Sequence, residues 1–280
     1  MTKMERMKKS LFTIFKYFVL VGVAIVTFVP IISVVMSSLK GKIEYLSTSN
    51  LTPPENWLNF ENYITLFKNG NVFLGFKNTL IIIMITLVFS TFFATMVAYC
   101  MERFDFKGKQ LIDKMYLLAA FVPGVIVHLM VFKVFAAANL IDNMTSVIII
   151  YSGIDVVALY LYRQYMRRIP ISLDEAAMVE GCSYFRIYWN IILPLVKPAI
   201  ITSSILKVTY IYNDFYVAFL YLPSEKNGVM STVLYRFIGP YSSNWGVIAA
   251  GILIVTIPIF IIFLFCQKYI YKGFVDGAVK

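Results

Sequence analysis

The residue types that carry most enzyme chemistry are few in this chain of 280 residues, and their spacing does not suit it. The chain has one histidine, His128, and three cysteines whose separation fits neither a zinc site nor a CxxC redox pair: Cys100, Cys182 and Cys266. It also lacks the G-x-x-x-x-G-K-[ST] run that cradles nucleotide phosphates. The sequence therefore predicts a protein that is not an enzyme and that binds no metal or cofactor itself.

Polar and ionisable side chains instead recur at helical spacing within one apolar stretch. Four of them stand at positions i, i+4, i+7 and i+11, which is one face of a helix. Ionisable residues inside a membrane span are costly and usually face a bundle interior or a water-filled path. We expect this face to line a substrate pathway, formed by Ser203, Lys207, Tyr210, Asn213 and Asp214.

A structural role for the same charges is the alternative. Lys207 could pair with Asp155 of a neighbouring span and hold two helices together. Both roles could also hold at once, so the pathway and the ion pair both stay open at this point.

The composition indicates the kind of element that must position these residues. Hydrophobic residues make up 60% of the chain and charged residues 14%, whereas soluble domains have roughly 45–50% and about 25%. The net charge of +10 comes from basic residues spread over short loops between apolar runs. This distribution favours contact with anionic lipid and argues against a nucleic-acid partner. The sequence predicts an all-α protein that spans a membrane.

A membrane helix needs roughly 20 mostly apolar residues, and this length identifies about six spans. They cover residues 17–36, 78–100, 114–135, 146–162, 199–221 and 245–266. The whole chain, residues 1–280, is then a single transmembrane domain, with an external loop at 39–75 and a cytoplasmic loop at 163–198. With the N-terminus inside, about 17 lysines and arginines fall on the inner side and about 6 on the outer side. This bias obeys the positive-inside rule and predicts that both termini are cytoplasmic.

The loop at 163–198 has the pattern of two short helices at the membrane surface. Ser172 is a good N-cap, and Asp174 and Glu175 stand in the first turn, where the helix dipole favours carboxylates. Gly181 can take the positive φ that ends such a helix. A second helix is predicted at about 183–192. Apolar and aromatic residues in excess of what so short a segment can bury indicate a partner, either protein or lipid.

This loop resembles the EAA loop of importer-type ABC transporter permeases. The matching residues are Glu175-Ala176-Ala177, then Gly181, then Ile192-Leu193-Pro194, with Glu180 where the family usually has Asp. Tyr212-Asn213-Asp214-Phe215 resembles the W-N-[DE]-F stretch of the carbohydrate-uptake branch. The ending Gly277-Ala278-Val279-Lys280 resembles the terminal G-A-V-K of that branch. The resemblance extends over nearly the whole chain and is nearest to the smaller maltose-permease subunit.

The resemblance implies a type I ABC importer permease fold and a coupling helix that seats on an ATPase subunit. The coupling residues would be Glu175, Ala176, Ala177, Gly181, Leu193 and Pro194. The other interpretation of the segment is an amphipathic helix lying on lipid.

The resemblance also implies the partners. They are a second permease subunit, favouring a heterodimer, two ATPase subunits that bind ATP and Mg, and an extracytoplasmic sugar-binding protein. The chain would then be a multi-pass protein of the bacterial cell membrane that imports a sugar or oligosaccharide. An ABC permease for glycerol-phosphate or a polyamine is the alternative, and a membrane enzyme or an ion channel is a rival class.

Overall fold

The computed structural model describes the backbone of residues 3–238 and 244–278 and the side chains of residues 12–238 and 244–267. Within these residues the regular structure is helical and no residue lies in a strand, which confirms the predicted all-α class. The α-helices are α1 Lys3–Ser38, α2 Lys42–Ser47, α3 Glu61–Asn69, α4 Val72–Arg103, α5 Lys109–Ala119, α6 Gly124–Ala137, α7 Met144–Ser152, α8 Val156–Arg167, α9 Ser172–Val179, α10 Tyr184–Ile187, α11 Leu193–Leu195, α12 Lys197–Asn213, α13 Tyr216–Tyr221, α14 Met230–Val233 and α15 Trp245–Ala278.

Three helical stretches are long and apolar enough to cross a membrane by themselves: Phe12–Ser38 of α1, Val72–Arg103 and Trp245–Gln267 of α15. Three further candidates are pairs of helices joined at a sharp bend. The bends are 101° between α5 and α6, 42° between α7 and α8, and 74° between the segment Tyr184–Leu195 and α12. If each pair is one span, the described residues make six crossings by length and composition.

The first two bends have local causes in the sequence. Pro123 is the extended residue before α6, where its fixed φ and missing N–H interrupt the hydrogen-bond ladder. Gly153 ends α7 in a non-helical conformation, and Asp155 then caps α8 by accepting from the Ala158 N–H at 3.0 Å. Residues 114–135 and 146–162, each predicted as one span, are therefore each interrupted by a break.

The first long helix makes little use of the rest of the chain. Every side chain from Phe12 to Ile32 is exposed, although this stretch is the apolar part of α1. A helix that is hydrophobic and unburied within its own chain is suited to a lipid environment.

The chain divides into two compact units, Met1–Asn71 with Leu234–Ile257, and Val72–Val233 with Pro258–Lys280.

A buried lysine organises the first unit. Lys40 is fully buried, and its ammonium donates to Thr48 Oγ1 at 2.9 Å and to the Ser49 carbonyl oxygen at 2.7 Å. The Asn62 amide donates to the Lys40 carbonyl oxygen at 2.8 Å. A Cβ on Gly246 would lie 2.7 Å from this amide nitrogen. Only glycine therefore permits α15 to approach Asn62 this closely.

The second unit is built around α4, which packs against α7, α8, α12 and α14. A buried cluster joins one half of α4 to α8, to the segment that follows α8 and to the start of α12. Its members are Ala94, Ala98, Tyr99, Leu159, Tyr162, Met166, Ala177, Ile187, Tyr188, Ile192, Val196 and Ala199. The loop at 163–198 thus contributes to the core of this unit instead of lying loosely over it.

Charged side chains extend this packing beyond the apolar cluster. Glu102, near the end of α4, accepts from Arg163 Nε at 2.5 Å and from Arg167 Nε at 2.8 Å. Arg163 also pairs with Asp113 of α5. The Arg163 side chain is only 6% exposed, whereas that of Arg167 is 62% exposed. The ends of α4, α5 and α8 are therefore joined by ion pairs that differ greatly in burial.

This difference predicts unequal effects on stability. Arg163→Ala would leave Glu102 and Asp113 without their shared buried cation, a loss of about 3 kcal/mol. Arg167→Ala removes an exposed partner and should cost less than about 1 kcal/mol. We expect the thermal midpoint of the detergent-purified protein to fall by several degrees for Arg163→Ala and hardly at all for Arg167→Ala. Equal midpoints for the two variants would contradict this account of the network.

Candidate functional site: the EAA loop and the polar cavity

The helix that carries the Glu175-Ala176-Ala177 motif is α9, and its start differs from the prediction. Ser172 is the first helical residue and Ile171 occupies the cap position, with no side-chain cap. The prediction of Ser172 as N-cap is therefore wrong. Ile171 is itself in the helical region of φ and ψ, and the turn from Pro170 leads directly into the helix, with the Leu173 N–H bonded to the Pro170 carbonyl at 3.2 Å. No extended residue remains to act as a cap.

The two faces of α9 differ sharply in burial. Asp174 and Ala177 are buried, whereas Glu175, Ala176 and Val179 are exposed. A Glu beside a small Ala on the open face leaves room for another surface to approach the helix backbone. The spacing of the motif therefore places its acidic residue outward and its second alanine inward.

Gly181 ends the segment as the sequence predicts, with φ +83°. The Gly181 N–H bonds to the Met178 carbonyl at 2.9 Å, and the Cys182 N–H bonds to the Ala177 carbonyl at 2.9 Å. These two bonds satisfy the last carbonyl groups of α9, as in a glycine-terminated C-cap. Because φ is positive, any other residue at 181 would strain this turn.

The second predicted helix, at about 183–192, is present only in part. α10 covers Tyr184–Ile187, and the chain then widens into a π turn at Tyr188–Ile192. Tyr188 is 1% exposed, and its hydroxyl lies 2.9 Å from Thr95 Oγ1 of α4. Such widened turns are rare and are frequent at functional sites. In this chain the π turn seats a tyrosine of the EAA loop against α4.

Leu193 and Pro194 lie apart from the open face of α9. Leu193 is half-buried and packs against the apolar cluster, and Pro194 is exposed in α11. The structure therefore separates the six predicted coupling residues into two groups. Glu175, Ala176, Ala177 and Gly181 form the helix and its end, and the other two lie where the chain turns toward α12.

Asp174, beside the motif, makes a contact that sequence reasoning missed. Its Oδ2 lies 2.6 Å from Arg103 Nε, and the two side chains are 5% and 7% exposed. Burial raises the pKa of Asp174 above its ordinary value, and the Arg103 guanidinium opposes this only in part. Arg103 also donates to the Ile169 carbonyl oxygen at 3.0 Å. The only sequence signal for this contact was the Glu102-Arg103 doublet at the end of an apolar run.

A cavity of about 200 Å³ lies among α4, α8 and α12. Its polar lining residues are Ser90, Thr91, Asp155, Tyr162, Ser203, Ser204, Lys207 and Tyr210. Three of the five predicted pathway residues, Ser203, Lys207 and Tyr210, are among them. Tyr162 and Ser203 are joined by a hydrogen bond between their hydroxyl groups.

Lys207 is half-buried at this cavity. Asp155 lines the same cavity, but among the described residues no carboxylate lies within 4.0 Å of the Lys207 ammonium. The alternative of a direct Lys207–Asp155 ion pair is therefore not the arrangement in this structure. The ammonium faces a space lined by hydroxyl groups.

Asn213 and Asp214 do not line this cavity. Helix α12 ends at Asn213, whose amide donates to the Thr209 carbonyl at 2.9 Å. Asp214 is extended, and its carboxylate accepts from the Val217 N–H at 3.1 Å, which caps α13. The helical spacing that grouped Asp214 with Lys207 assumed a continuous helix, and the helix stops one residue too early.

Bent membrane helices, an exposed acidic helix between two of them and a polar cavity define a class of transport permease rather than an enzyme. A model of the family described as binding-protein-dependent transport system inner membrane component matches residues 92–275, and the chain belongs to this family. This membership confirms the resemblance drawn from the EAA motif, the membrane location and the expectation that the chain is not an enzyme.

Two relatives and two solved structures are similar over most of the chain. The arabinooligosaccharides transport system permease protein AraQ of Bacillus subtilis is 33% identical over 253 residues, 90% of each chain. The probable starch degradation products transport system permease protein AmyC of Thermoanaerobacterium thermosulfurigenes is 31% identical over 252 residues, 90% of this chain and 91% of that one.

The similar structures establish the fold. A bacterial ABC transporter involved in the import of the acidic polysaccharide alginate matches 96% of this chain and 98% of its own, with a TM-score of 0.81 and 20% identity. A bacterial alginate ABC transporter in complex with an alginate pentasaccharide-bound periplasmic protein matches 94% and 96%, with a TM-score of 0.66 and 19% identity. The predicted fold of an ABC importer permease is confirmed.

Proposed function

We propose that this chain is the permease subunit of an ABC importer that moves a sugar or oligosaccharide across the membrane by alternating access. The observation that carries the proposal is α9, an eight-residue helix that exposes Glu175 and Ala176 while its other face is buried against the membrane helices. The names of AraQ and AmyC, which specify arabinooligosaccharides and starch degradation products, support a sugar as the solute.

In this proposal α9 is the coupling helix and lies on the cytoplasmic side, with both chain termini. Glu175 would make a charge-assisted contact with a basic residue of an ATPase subunit. Ala176 and Ala177 allow close approach, and Gly181 sets the turn that follows. Leu193 and Pro194 would anchor the loop where it enters α12. ATP and Mg would bind to two ATPase subunits, and this chain would bind neither.

The cavity among α4, α8 and α12 is the proposed substrate pathway within this chain. Ser203, Lys207 and Tyr210 would contact the solute, because hydroxyl and ammonium groups match the hydroxyl-rich surface of a sugar. Asn213 and Asp214 lie at the end of α12 and would act at its external opening, away from this cavity.

The remaining partners are a second permease, which would be a different chain, and an extracytoplasmic sugar-binding protein. The alginate transporter crystallised with a periplasmic protein is a precedent for such a complex in this fold. Of the tail Gly277–Lys280, considered for contact with the ATPase, residues 279 and 280 lie outside the described residues.

Transport by the reconstituted complex tests the proposal. The chain, its partner permease, the ATPases and the binding protein are placed in proteoliposomes with ATP inside. We expect binding-protein-dependent uptake of labelled oligosaccharide and none without ATP. Labelled glycerol-phosphate and a labelled polyamine serve as competing solutes. Uptake of one of these instead of sugar would identify the alternative permease class, and conductance without ATPase subunits would identify a channel.

The topology needs its own measurement. Ala176→Cys, in a chain whose three cysteines are replaced by serine, should react with a membrane-impermeant thiol reagent only from the cytoplasmic side. Labelling from outside the cell would contradict the coupling role of α9.

A further inference from the structure

Arg103 holds the EAA loop at two separate points. Its Nε lies 2.6 Å from Asp174 Oδ2 in α9, and its terminal NH2 group donates to the Ile169 carbonyl oxygen at 3.0 Å, just before that helix. A guanidinium is planar and its donors are fixed relative to one another. Two contacts from one rigid group set both the position and the rotation of α9 against the end of α4.

The pair is not explained by stability. Burial raises the pKa of Asp174 above its ordinary value, so the folded protein binds a proton at this carboxyl more tightly than the unfolded chain does. Ionisation then costs folding free energy as the pH rises through the raised pKa, and the charged pair adds none at neutral pH. Buried ion pairs are often no more stable than apolar residues of similar size. The surrounding cluster already holds the loop by apolar contacts.

The neighbouring residue adds a second link at the same place. Glu102 pairs with Arg163 and Arg167 at the end of α8, while Arg103 pairs with α9. Two consecutive residues of α4 therefore grip the ends of the two segments that flank residues 168–171. We call Glu102 and Arg103 together the α4 clamp.

We infer that Arg103 and Asp174 are positioning residues that make α9 and the end of α4 move as one body during transport. The inference rests on the proposed coupling role of α9. Apolar contacts are non-directional, so a purely apolar contact would let α9 slide or rotate when a partner pushes on it. The α4 clamp would instead pass the displacement to α4 and α8, which line the polar cavity.

The test replaces the ion pair by apolar residues of similar length, Arg103→Met with Asp174→Leu, in the complete reconstituted transporter. We expect the complex to assemble and to hydrolyse ATP, while solute transported per ATP hydrolysed falls by about tenfold, within the range of typical coupling energies. Unchanged stoichiometry in an assembled complex would overturn the inference.

Two further variants guard this result. Asp105→Leu with Lys109→Met removes an ion pair in the same region whose Asp105 side chain is fully exposed, and it should leave transport per ATP unchanged. Arg103→Lys keeps the charge but gives up the fork that reaches Ile169, and it should lower transport per ATP even if the double variant does not assemble. Normal coupling in Arg103→Lys would also overturn the inference.

The proposed function and this inference fail in different ways. If Glu175→Lys uncouples transport while both Arg103 variants couple normally, α9 is the coupling helix and the clamp is only packing. If Glu175→Lys also couples normally, α9 does not engage the ATPase and the proposed function itself fails.

Discussion

Glu175→Lys should reduce ATP-driven uptake by about 30-fold or more while the protein still inserts into the membrane and folds. Glu175 is exposed on α9 and makes no ion pair with a described residue, so the substitution removes no such contact within the chain. At an ATPase interface, the change would remove a charge-assisted contact and place two like charges together. Losing one partner of a buried charge pair costs about 2 kcal/mol or more, which corresponds to about 30-fold. Uptake in proteoliposomes and co-purification of the ATPase subunits measure the effect.

Glu180→Lys is the matched control for this prediction. Glu180 is also exposed and lies just after α9, at its C-cap, so the net charge changes equally in the two variants. Uptake should stay within about twofold of the unmodified protein, since the charge lies outside the contact face. Equal losses in both variants would mean that the charge of the whole loop matters and not the position of Glu175.

Lys207→Met should reduce uptake by about tenfold or more with little change in thermal stability. The Lys207 ammonium faces the cavity without an ion pair among the described residues. A hydrogen bond to a charged group contributes about 1.5–3 kcal/mol, and its loss on passage of the solute would slow transport accordingly. Methionine keeps the length of the side chain and removes the charge. Initial uptake rates at several solute concentrations measure the change.

Lys133→Met provides the comparison, because Lys133 also lies in a membrane helix but is exposed and does not line the cavity. Its uptake should remain near normal. If Lys207→Met instead lowered the melting temperature and Asp155→Asn lowered it equally, the two charges would have a structural role and the pathway assignment would fail.

The parts of the fold that follow from composition could be predicted from the sequence. The three long helices contain the residues predicted as spans 17–36, 78–100 and 245–266, because uninterrupted apolar length determines them. The positive φ of Gly181 was also predictable, since a glycine after a short acidic helix has a local reason to be there. Both features depend on residues that are close in sequence.

Features that depend on tertiary contacts could not be predicted in this way. The break after Asn213 turns Asp214 away from Lys207, and nothing in the apolar pattern marks that residue as the end of α12. The Arg103–Asp174 pair joins residues far apart in the chain, and a single sequence contains no signal for such pairing. Tyr162, which bonds to Ser203 at the cavity, was hidden in the same way among other buried aromatic residues.

The exposed surface of α1 has a consequence for biogenesis. From Phe12 to Ile32 this helix presents its side chains outward along the whole stretch, and its backbone hydrogen bonds are satisfied within the segment. It needs no later part of the polypeptide to become stable in hydrocarbon. The nascent chain can therefore commit its first hydrophobic segment to the bilayer as it leaves the ribosome, before the residues that build the polar cavity have been synthesised.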